Sequence, residues 1–87
     1  MIIKFNKKFE KQFADLRKNE QKRVLAAIEL FKKNPFDKKL RNHELEGKYS
    51  DYRSISAGGD IRLHYYEEND KITIVFVKVG SHSQLYK

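Results

Sequence analysis

The segment GGDIRLHYYEENDKITIVFVKV, residues 58–79, decides the fold, because its apolar and polar side chains change with the period of a β-strand. Two strands are predicted here, over residues 61–67 and 71–79, joined by a turn at Glu68-Asn69-Asp70. The second strand is apolar on both faces, which predicts a central position in the sheet. The segment therefore predicts an antiparallel hairpin that forms the middle of a sheet.

The sequence on the N-terminal side of this hairpin extends the sheet by one strand. Residues 52–57 again have a period of two, and Gly58-Gly59 supplies the turn into the hairpin. The polar segment before this strand, residues 37–51, carries Leu40 and Leu45 as its expected anchors in the core. Three consecutive strands therefore form an antiparallel meander.

A strand and two helices are predicted at the start of the chain. MIIKF, residues 1–5, is short, apolar and β-branched, as strands are. Asn6 is the expected N-cap of a first helix. A second helix is predicted from about Glu20 to Lys33, since Asn34-Pro35 disfavours its continuation. The apolar stripes of the two helices are predicted to be Phe9, Phe13 and Leu16, and then Val24, Leu25, Ile28 and Phe31.

The order β-α-α-β-β-β predicts the α+β fold class, with an N-terminal strand and a helical hairpin packed on an antiparallel sheet. At 87 residues the chain is expected to form a single domain over residues 1–87. It has no cysteine, so neither a disulfide nor a thiolate metal site supports this core.

The charge balance predicts a polyanionic partner. Nineteen Lys and Arg residues against 12 Asp and Glu give a net charge of +7 and a pI near 9.7. Nucleic acid, an anionic membrane and an acidic protein all fit this charge. No apolar run approaches the ~20 residues that cross a bilayer, and the N-terminus lacks the pattern of a signal peptide. We expect a soluble protein located in the cytoplasm.

Polar side chains of the predicted hairpin collect on one face of the sheet. Ile61, Leu63 and Tyr65 share one face, which we assign to the core because the helices need an apolar surface. The opposite face is then predicted to carry Asp60, Arg62, His64 and Tyr66. The remaining candidates flank this face along the chain: His43 lies before the meander, and His82 and Tyr86 lie after it.

These side chains have individual explanations as surface or turn residues, and His64 is the most easily dismissed of them. Together they favour phosphate chemistry. Histidine exchanges protons near neutral pH, arginine holds a phosphate through two parallel bonds, and tyrosine offers a stacking surface to an unpaired base. No metal triad, phosphate-binding glycine loop or nucleophile motif is present. The residues alone predict a basic α+β domain with an anion-binding face.

Three segments carry a resemblance to a known family: HELEGKYSDYRS at 43–54, GGDIRLHYY at 58–66 and VGSHSQLY at 79–86. With the strand and helical hairpin before them, they resemble the RelE/ParE toxin superfamily, most closely its YafQ-like branch of ribosome-dependent mRNA interferases. The resemblance implies a RelE-like toxin of a type II toxin–antitoxin system. Such toxins cleave mRNA in the ribosomal A site by attack of a ribose 2′-oxygen on the adjacent phosphate, without a metal or other cofactor.

The resemblance also implies roles for individual residues. His82 is expected to be the general acid, and His43 or Asp60 the general base. Arg62 is expected to stabilise the phosphate charge, and Tyr86 to hold the substrate base. The chain departs from the branch at two positions, where Ser54 and Ser56 replace an acidic residue and a histidine. His64, on the same face but on another strand, is a candidate substitute for the missing histidine.

The implied partners are a cognate antitoxin, the ribosome and mRNA, with no membrane and no small-molecule cofactor. The basic residues expected to bind RNA are Lys38, Lys39, Arg41 and Lys48, together with the lysines of the first helix. Two alternatives remain open at this point: a ParE-like inhibitor of DNA gyrase, and a non-catalytic relative that binds only RNA or an antitoxin.

Overall fold

The protein folds as a five-stranded sheet with two helices packed on one face. The structure, a computed structural model, describes residues 1–68 and 71–86. In the sheet the strands follow the order β1-β5-β4-β3-β2. The elements are β1 (Ile2–Phe5), α1 (Lys7–Ala14), α2 (Lys18–Lys33), β2 (His43–Glu44), β3 (Arg53–Ser56), β4 (Ile61–Glu67), β5 (Thr73–Ser81) and α3 (His82–Leu85). Across the described residues, no helix has both the length and the apolar character needed to span a membrane.

The α+β class and the antiparallel meander β3-β4-β5 are confirmed. The prediction that the whole sheet is antiparallel is wrong. Strand β1 pairs in parallel with β5, from Ile2 opposite Thr73 to Phe5 opposite Phe76, so the sheet is mixed. Strand β5 has a neighbour on each side, as its two apolar faces predict, although β4 is the middle strand. In the predicted turn at Glu68-Asn69-Asp70, the last two residues lie outside the described part of the chain.

The predicted helix ends agree closely with the structure. The Asn6 side chain accepts a hydrogen bond of 2.8 Å from the backbone N–H of Phe9 and caps α1. Helix α2 begins at Lys18, two residues before the predicted start, because the Glu20 carboxylate accepts the N–H of Arg17 at 2.9 Å and so supports an earlier first turn. The helix ends at Lys33, as the following Asn34-Pro35 predicts.

The prediction that Leu25 belongs to the buried stripe of α2 is wrong. The buried stripe of α2 consists of Val24, Ala27, Ile28 and Phe31, at the i, i+3, i+4 and i+7 positions of one helix face. Leu25 is 54% exposed, because it lies one residue from Val24 and therefore about 100° around the helix. The loop anchors Leu40 and Leu45 are both buried, as predicted.

The core joins the helices to one face of the sheet through packed aromatic rings. Phe31 of α2 meets Tyr65 and Phe76 edge to face, with ring centroids 5.0 and 5.5 Å apart. Ile61 and Leu63 are buried in the same cluster. The assignment of these alternate β4 residues to the core is confirmed, and it leaves the other face of the sheet to the polar side chains.

A β-bulge changes the alternation of β5 where it passes His64. His64 pairs with Lys78, whereas the next residue, Tyr65, pairs with Phe76, so Val77 is the extra residue. Phe76 points into the core, and Val77 and Lys78 both line a cavity on the opposite face. The bulge therefore adds a lysine to the polar face of the sheet.

Candidate active site

Four residues form a row across the polar face of the sheet. His43 of β2 pairs with Ser54 of β3, Ser54 pairs with His64 of β4, and His64 pairs with Lys78 of β5. Directly paired residues of neighbouring strands project to the same face, with Cβ atoms about 5 Å apart. The row therefore joins the edge strand that carries His43 to the bulged part of β5.

His43 is exposed at the start of the row, and a backbone contact fixes its tautomer. Its Nδ1 lies 2.8 Å from the carbonyl oxygen of Arg41. A carbonyl oxygen only accepts hydrogen bonds, so Nδ1 carries the proton. Nε2 of the neutral ring then remains as a proton acceptor.

His64 is the buried centre of the row. Its side chain is 2% exposed, and its Nε2 has no hydrogen-bond partner among the described residues. Burial and, to a smaller extent, the positive charges of Lys78, His43 and His82 together lower the pKa of His64 from 6.5 to about 4. The imidazole is therefore neutral at physiological pH, and both exposed histidines lie close enough to act on it.

The short helix α3 turns the end of the chain back over the sheet. Ser81 caps it: the Ser81 N–H donates to Gln84 Oε1 at 2.8 Å, and the Gln84 N–H donates to Ser81 Oγ at 3.3 Å. His82 is exposed in the first position of this turn, and Leu85 is buried beneath it. The capped turn and its buried leucine hold His82 and the following Tyr86 beside the row.

Tyr86 connects the candidate residues through ring contacts. Its ring centroid lies 4.5 Å from that of His82, 5.3 Å from that of His64 and 5.5 Å from that of Tyr49. Burial raises the pKa of the Tyr86 hydroxyl, and the nearby charge of Tyr49 raises it further, while Arg62 opposes this. The phenol therefore remains protonated at neutral pH.

Arg62 is the second residue of β4, beside the β3–β4 turn, and lies close enough to Tyr86 for its charge to act on the phenol. Its Nη1 donates to Ser56 Oγ at 3.2 Å and to the carbonyl oxygens of Gly59 and Ile61 at 3.0 and 3.1 Å. All three bonds use one nitrogen, so Nε and Nη2 form no hydrogen bond with the described residues. The guanidinium is thus anchored through Nη1 and keeps donors for an anion.

Asp60 is exposed in the same turn, and its carboxylate forms neither a hydrogen bond nor an ion pair with the described residues. The next residue, Ile61, pairs with Ser81. Asp60 precedes β4 and His82 follows β5, so the two residues lie at the same end of the β4–β5 pair.

The four predicted RNA-binding cations divide into two groups. Lys48 lies beside the site, with its Nζ 5.2 Å from the centre of the Tyr49 ring. Lys38 and Lys39 are exposed in a 3-10 turn over 38–40, and Lys39 lines a separate groove against α2. Arg41 is exposed after this turn, with a left-handed φ of 51°, and its carbonyl binds His43.

Two members of the site, Lys78 and Tyr49, were not predicted from the sequence, and a third, His64, was predicted to be the most easily dismissed. Lys78 places its Nζ 5.2 Å from the same Tyr49 ring that Lys48 contacts. Tyr49 itself lies in a 3-10 turn that no periodicity indicated. The position of His64 on the face of Arg62 was visible in the alternation, but its burial was not.

The available chemistry is that of proton transfer beside fixed cations. The exposed imidazoles of His43 and His82 flank the buried, neutral imidazole of His64. Lys48, Lys78 and Arg62 add positive charge around these three rings. Among the described residues, no group of three or more His, Asp or Glu side chains is arranged to hold a metal ion. Imidazoles and cations in this arrangement suit the cleavage of a phosphodiester by general acid–base catalysis.

Comparisons with known proteins agree with this fold. Residues 1–87 match the family model described as the bacterial toxin of the type II toxin–antitoxin system, YafQ. No curated protein sequence matches the chain. The fold is similar to that of YafQ from E. coli, with a TM-score of 0.81 at 19% identity over 98% of this chain and 97% of that one.

Two further solved structures share the fold. A copper-bound mutant toxin from Helicobacter pylori is 27% identical, with a TM-score of 0.71, over 98% of both chains. The archaeal RelE–RelB complex from Pyrococcus horikoshii contains a chain that is 22% identical, with a TM-score of 0.74, over 95% of this chain and 96% of that one.

Proposed function

Because the chain belongs to the YafQ family of bacterial type II toxins, we propose that it is a ribosome-dependent endoribonuclease that cleaves mRNA. The cut is made by attack of a ribose 2′-oxygen on the adjacent phosphate. The observation that supports this most strongly is the placement of exposed His43 and His82 around the buried His64 and the half-buried Tyr86. Each histidine is free to exchange a proton with an RNA strand on this face.

His43 is the proposed general base. The Arg41 carbonyl holds the proton on Nδ1, so Nε2 is the nitrogen that accepts the proton of the 2′-hydroxyl. His82, on the other side of Tyr86, is the proposed general acid and protonates the departing 5′-oxygen. Asp60, at the same end of the β4–β5 pair as His82, is proposed to add negative charge near this imidazole rather than to act as the base.

The phosphate charge that develops during the attack needs fixed positive groups. Arg62 keeps Nε and Nη2 for the phosphate while its Nη1 is held by the turn. Lys78 adds a second cation from β5. Cations that are held in place before the reaction stabilise the transition state without reorganisation. Proton transfer and these cations account for the chemistry without a metal ion.

Tyr86 is proposed to hold the base next to the cut. One edge of its ring packs on His64 and Tyr49, and the side chain remains partly exposed. An unpaired base stacks on such a ring with little dependence on sequence. Lys38, Lys39 and Arg41 lie outside this cluster and are proposed to contact ribosomal RNA.

We also propose that a cognate antitoxin binds this chain, as expected for a member of a type II toxin family. The related archaeal RelE is known in complex with RelB. The net charge of +7 favours an acidic partner. Co-purification with the product of the adjacent gene tests this partner directly.

The proposed activity is tested with purified protein, programmed ribosomes and a defined mRNA. New 5′ ends, mapped by primer extension, are expected with ribosomes and absent with naked mRNA. The same cuts are expected in the presence of EDTA once ribosomes have been fixed in a magnesium-independent, cross-linked complex. An absence of cuts at a toxin concentration equal to that of the ribosomes would contradict the proposal, and inhibition of gyrase supercoiling would then support the ParE-like alternative.

A further inference from the structure

A cavity of about 410 Å³ lies beside the catalytic cluster and includes none of its exposed histidines. Its lining residues come from four parts of the chain: Asn6 and Lys8 from the start of α1, Lys48, Tyr49 and Tyr52 from the segment before β3, His64 from β4, and Val77 and Lys78 from β5. Its volume lies within the roughly 300–1,000 Å³ of small-molecule sites. The cavity is therefore large enough for one nucleotide unit.

The charge of the cavity selects an anion. Lys8, Lys48 and Lys78 line it, and no aspartate or glutamate of residues 1–68 and 71–86 does. The Nζ atoms of Lys48 and Lys78 each lie 5.2 Å from the centre of the Tyr49 ring, so one aromatic ring holds two cations in place. Lysines held in this way contact a phosphate with less loss of side-chain entropy than free surface lysines.

The walls of the cavity select a flat aromatic group together with the anion. Tyr52 is half-buried, and its ring is fixed edge to face against Tyr66 at a centroid distance of 6.0 Å. Val77 is buried and gives the floor an apolar surface. A fixed tyrosine beside lysines is the combination with which proteins bind single-stranded nucleic acid, the ring for the base and the lysines for the backbone.

His64 lies between this cavity and the catalytic cluster. It lines the cavity and also contacts Tyr86 in the catalytic cluster. Its Nε2 is buried without a partner among the described residues, a cost that is offset once a ligand or water supplies a hydrogen bond. The group bound in the cavity is therefore next to the reacting phosphate along an RNA strand.

From these observations we propose that the cavity is a second nucleotide subsite. It holds the neighbouring nucleotide of the single-stranded substrate, with its base on Tyr52 and its phosphate between Lys8, Lys48 and Lys78. This subsite rests on the proposed ribonuclease function and extends it, because it makes binding depend on a nucleotide that is not cut. Lys8 and Tyr52 belong to the subsite and to no step of the reaction.

The test uses a 2′-O-methyl RNA trinucleotide, which cannot be cut, and the purified toxin without ribosomes. Binding is measured by NMR titration for the wild type, Lys8→Ala, Tyr52→Leu and Lys22→Ala. Lys22 is the matched control, an exposed lysine of α2 that does not line the cavity. We expect Tyr52→Leu to weaken binding about 5- to 100-fold, the equivalent of one lost stacking contact.

Lys8→Ala is expected to reduce the slope of log affinity against log salt by about 0.7, the effect of one lost phosphate contact on a single strand. Lys22→Ala should leave affinity and slope unchanged. Equal binding by the wild type, Lys8→Ala and Tyr52→Leu would overturn the subsite, and so would an equal loss in Lys8→Ala and Lys22→Ala. Ribosomal cleavage is assayed in parallel: cleavage by the wild type without these binding effects refutes only the subsite, whereas the expected binding without cleavage refutes only the ribonuclease function.

Discussion

His64 and Tyr86 meet edge to face, with ring centroids 5.3 Å apart, and this contact joins the middle strand of the sheet to the end of the chain. Tyr86 lies over an imidazole that is 2% exposed and reaches His82 on its other side. The C-terminal turn is therefore part of the structure of the site rather than a loose extension. The predictions below follow from this contact and the groups around it.

The buried His64 makes the stability of the fold depend on pH. Its pKa of about 4 lies below the ordinary 6.5, so protonation favours the unfolded chain. This loss of stability is absent above about pH 6.5 and grows as the pH falls towards 4. A shift of roughly 2.5 pKa units corresponds to a loss of about 3 kcal/mol in the free energy of unfolding. We expect the free energy of unfolding, measured with urea, to fall less steeply over this range in His64→Gln than in the wild type.

Carboxylates that titrate in the same range are common to both proteins, so the difference between the two curves isolates His64. Parallel curves for wild type and His64→Gln from about pH 7 to about pH 4 would show that this imidazole is protonated in the folded state as easily as in the unfolded chain.

Removing the ring of Tyr86 should uncover His64. In Tyr86→Ala the imidazole gains access to water, and because burial is the largest cause of its low pKa, that pKa should rise from about 4 towards 6.5. Tyr86→Phe keeps the ring contacts and should keep the low pKa. NMR titration of the His64 ring protons distinguishes these results; an unchanged pKa in Tyr86→Ala would mean that other side chains bury His64.

Gly80 allows the C-terminal turn to approach the sheet. A Cβ atom at this position would lie 2.8 Å from Gln84 Oε1, the atom that accepts the N–H of Ser81. Gly80→Ala should break this cap at a cost of about 1 kcal/mol and displace His82 and Tyr86. Cleavage should therefore fall about tenfold or more, a larger loss than this change in stability explains, because catalysis is sensitive to displacements of about 1 Å.

Urea denaturation and the cleavage assay on the same Gly80→Ala protein check this expectation. Gly47→Ala is a control of the same chemistry, with no atom within 4 Å of the added Cβ, although its φ of 65° adds local strain. Full cleavage activity in Gly80→Ala would show that the Gln84 cap does not position the catalytic turn.

The cleavage rates of variants at His43 and Asp60 distinguish the roles of these two residues. Loss of a general base typically lowers the rate about 10²–10⁴-fold, so His43→Gln should fall in this range. Asp60→Asn should have a smaller effect, since its carboxylate acts on His82 only through its charge. Single-turnover cleavage across a range of pH measures both; a larger loss in Asp60→Asn than in His43→Gln would exchange the two roles.

The alternation of side chains was sufficient to predict much of the fold. Ile61, Leu63 and Tyr65 lie in the core as their spacing predicts, and the polar residues between them lie on the opposite face. Asn6 caps its helix because an asparagine before an apolar stripe is a local signal. These features depend on residues close together in the sequence, and so a single sequence contains them.

Features that depend on distant residues were not predicted. Alternation along β5 assigns Lys78 to the face of Phe76, and only the bulge opposite His64 moves it to the polar face. The parallel pairing of β1 with β5 joins segments about 70 residues apart, for which no local pattern exists. Strand β2, at His43–Glu44, is too short to produce a periodic signal.

The candidate site shows the same division. His43, Arg62, His82 and Tyr86 were selected from residue type and resemblance, and the structure brings these four to one face around His64. Ser54 stands where the resemblance predicts an acidic residue. The strand register places His64 directly opposite this serine. The burial of His64, which determines its charge state, required the positions of Tyr86 and the neighbouring strands.

The most direct test of the account is primer extension on programmed ribosomes with the wild type, His82→Ala and Ser83→Ala. Ser83 is the control, because it is an exposed residue of the same turn. We predict ribosome-dependent cuts with the wild type and Ser83→Ala, and a loss of about 10²–10⁴-fold with His82→Ala. Cuts of equal intensity from His82→Ala, in a protein whose folded structure is unchanged, would contradict the claim that the C-terminal turn carries the catalytic acid.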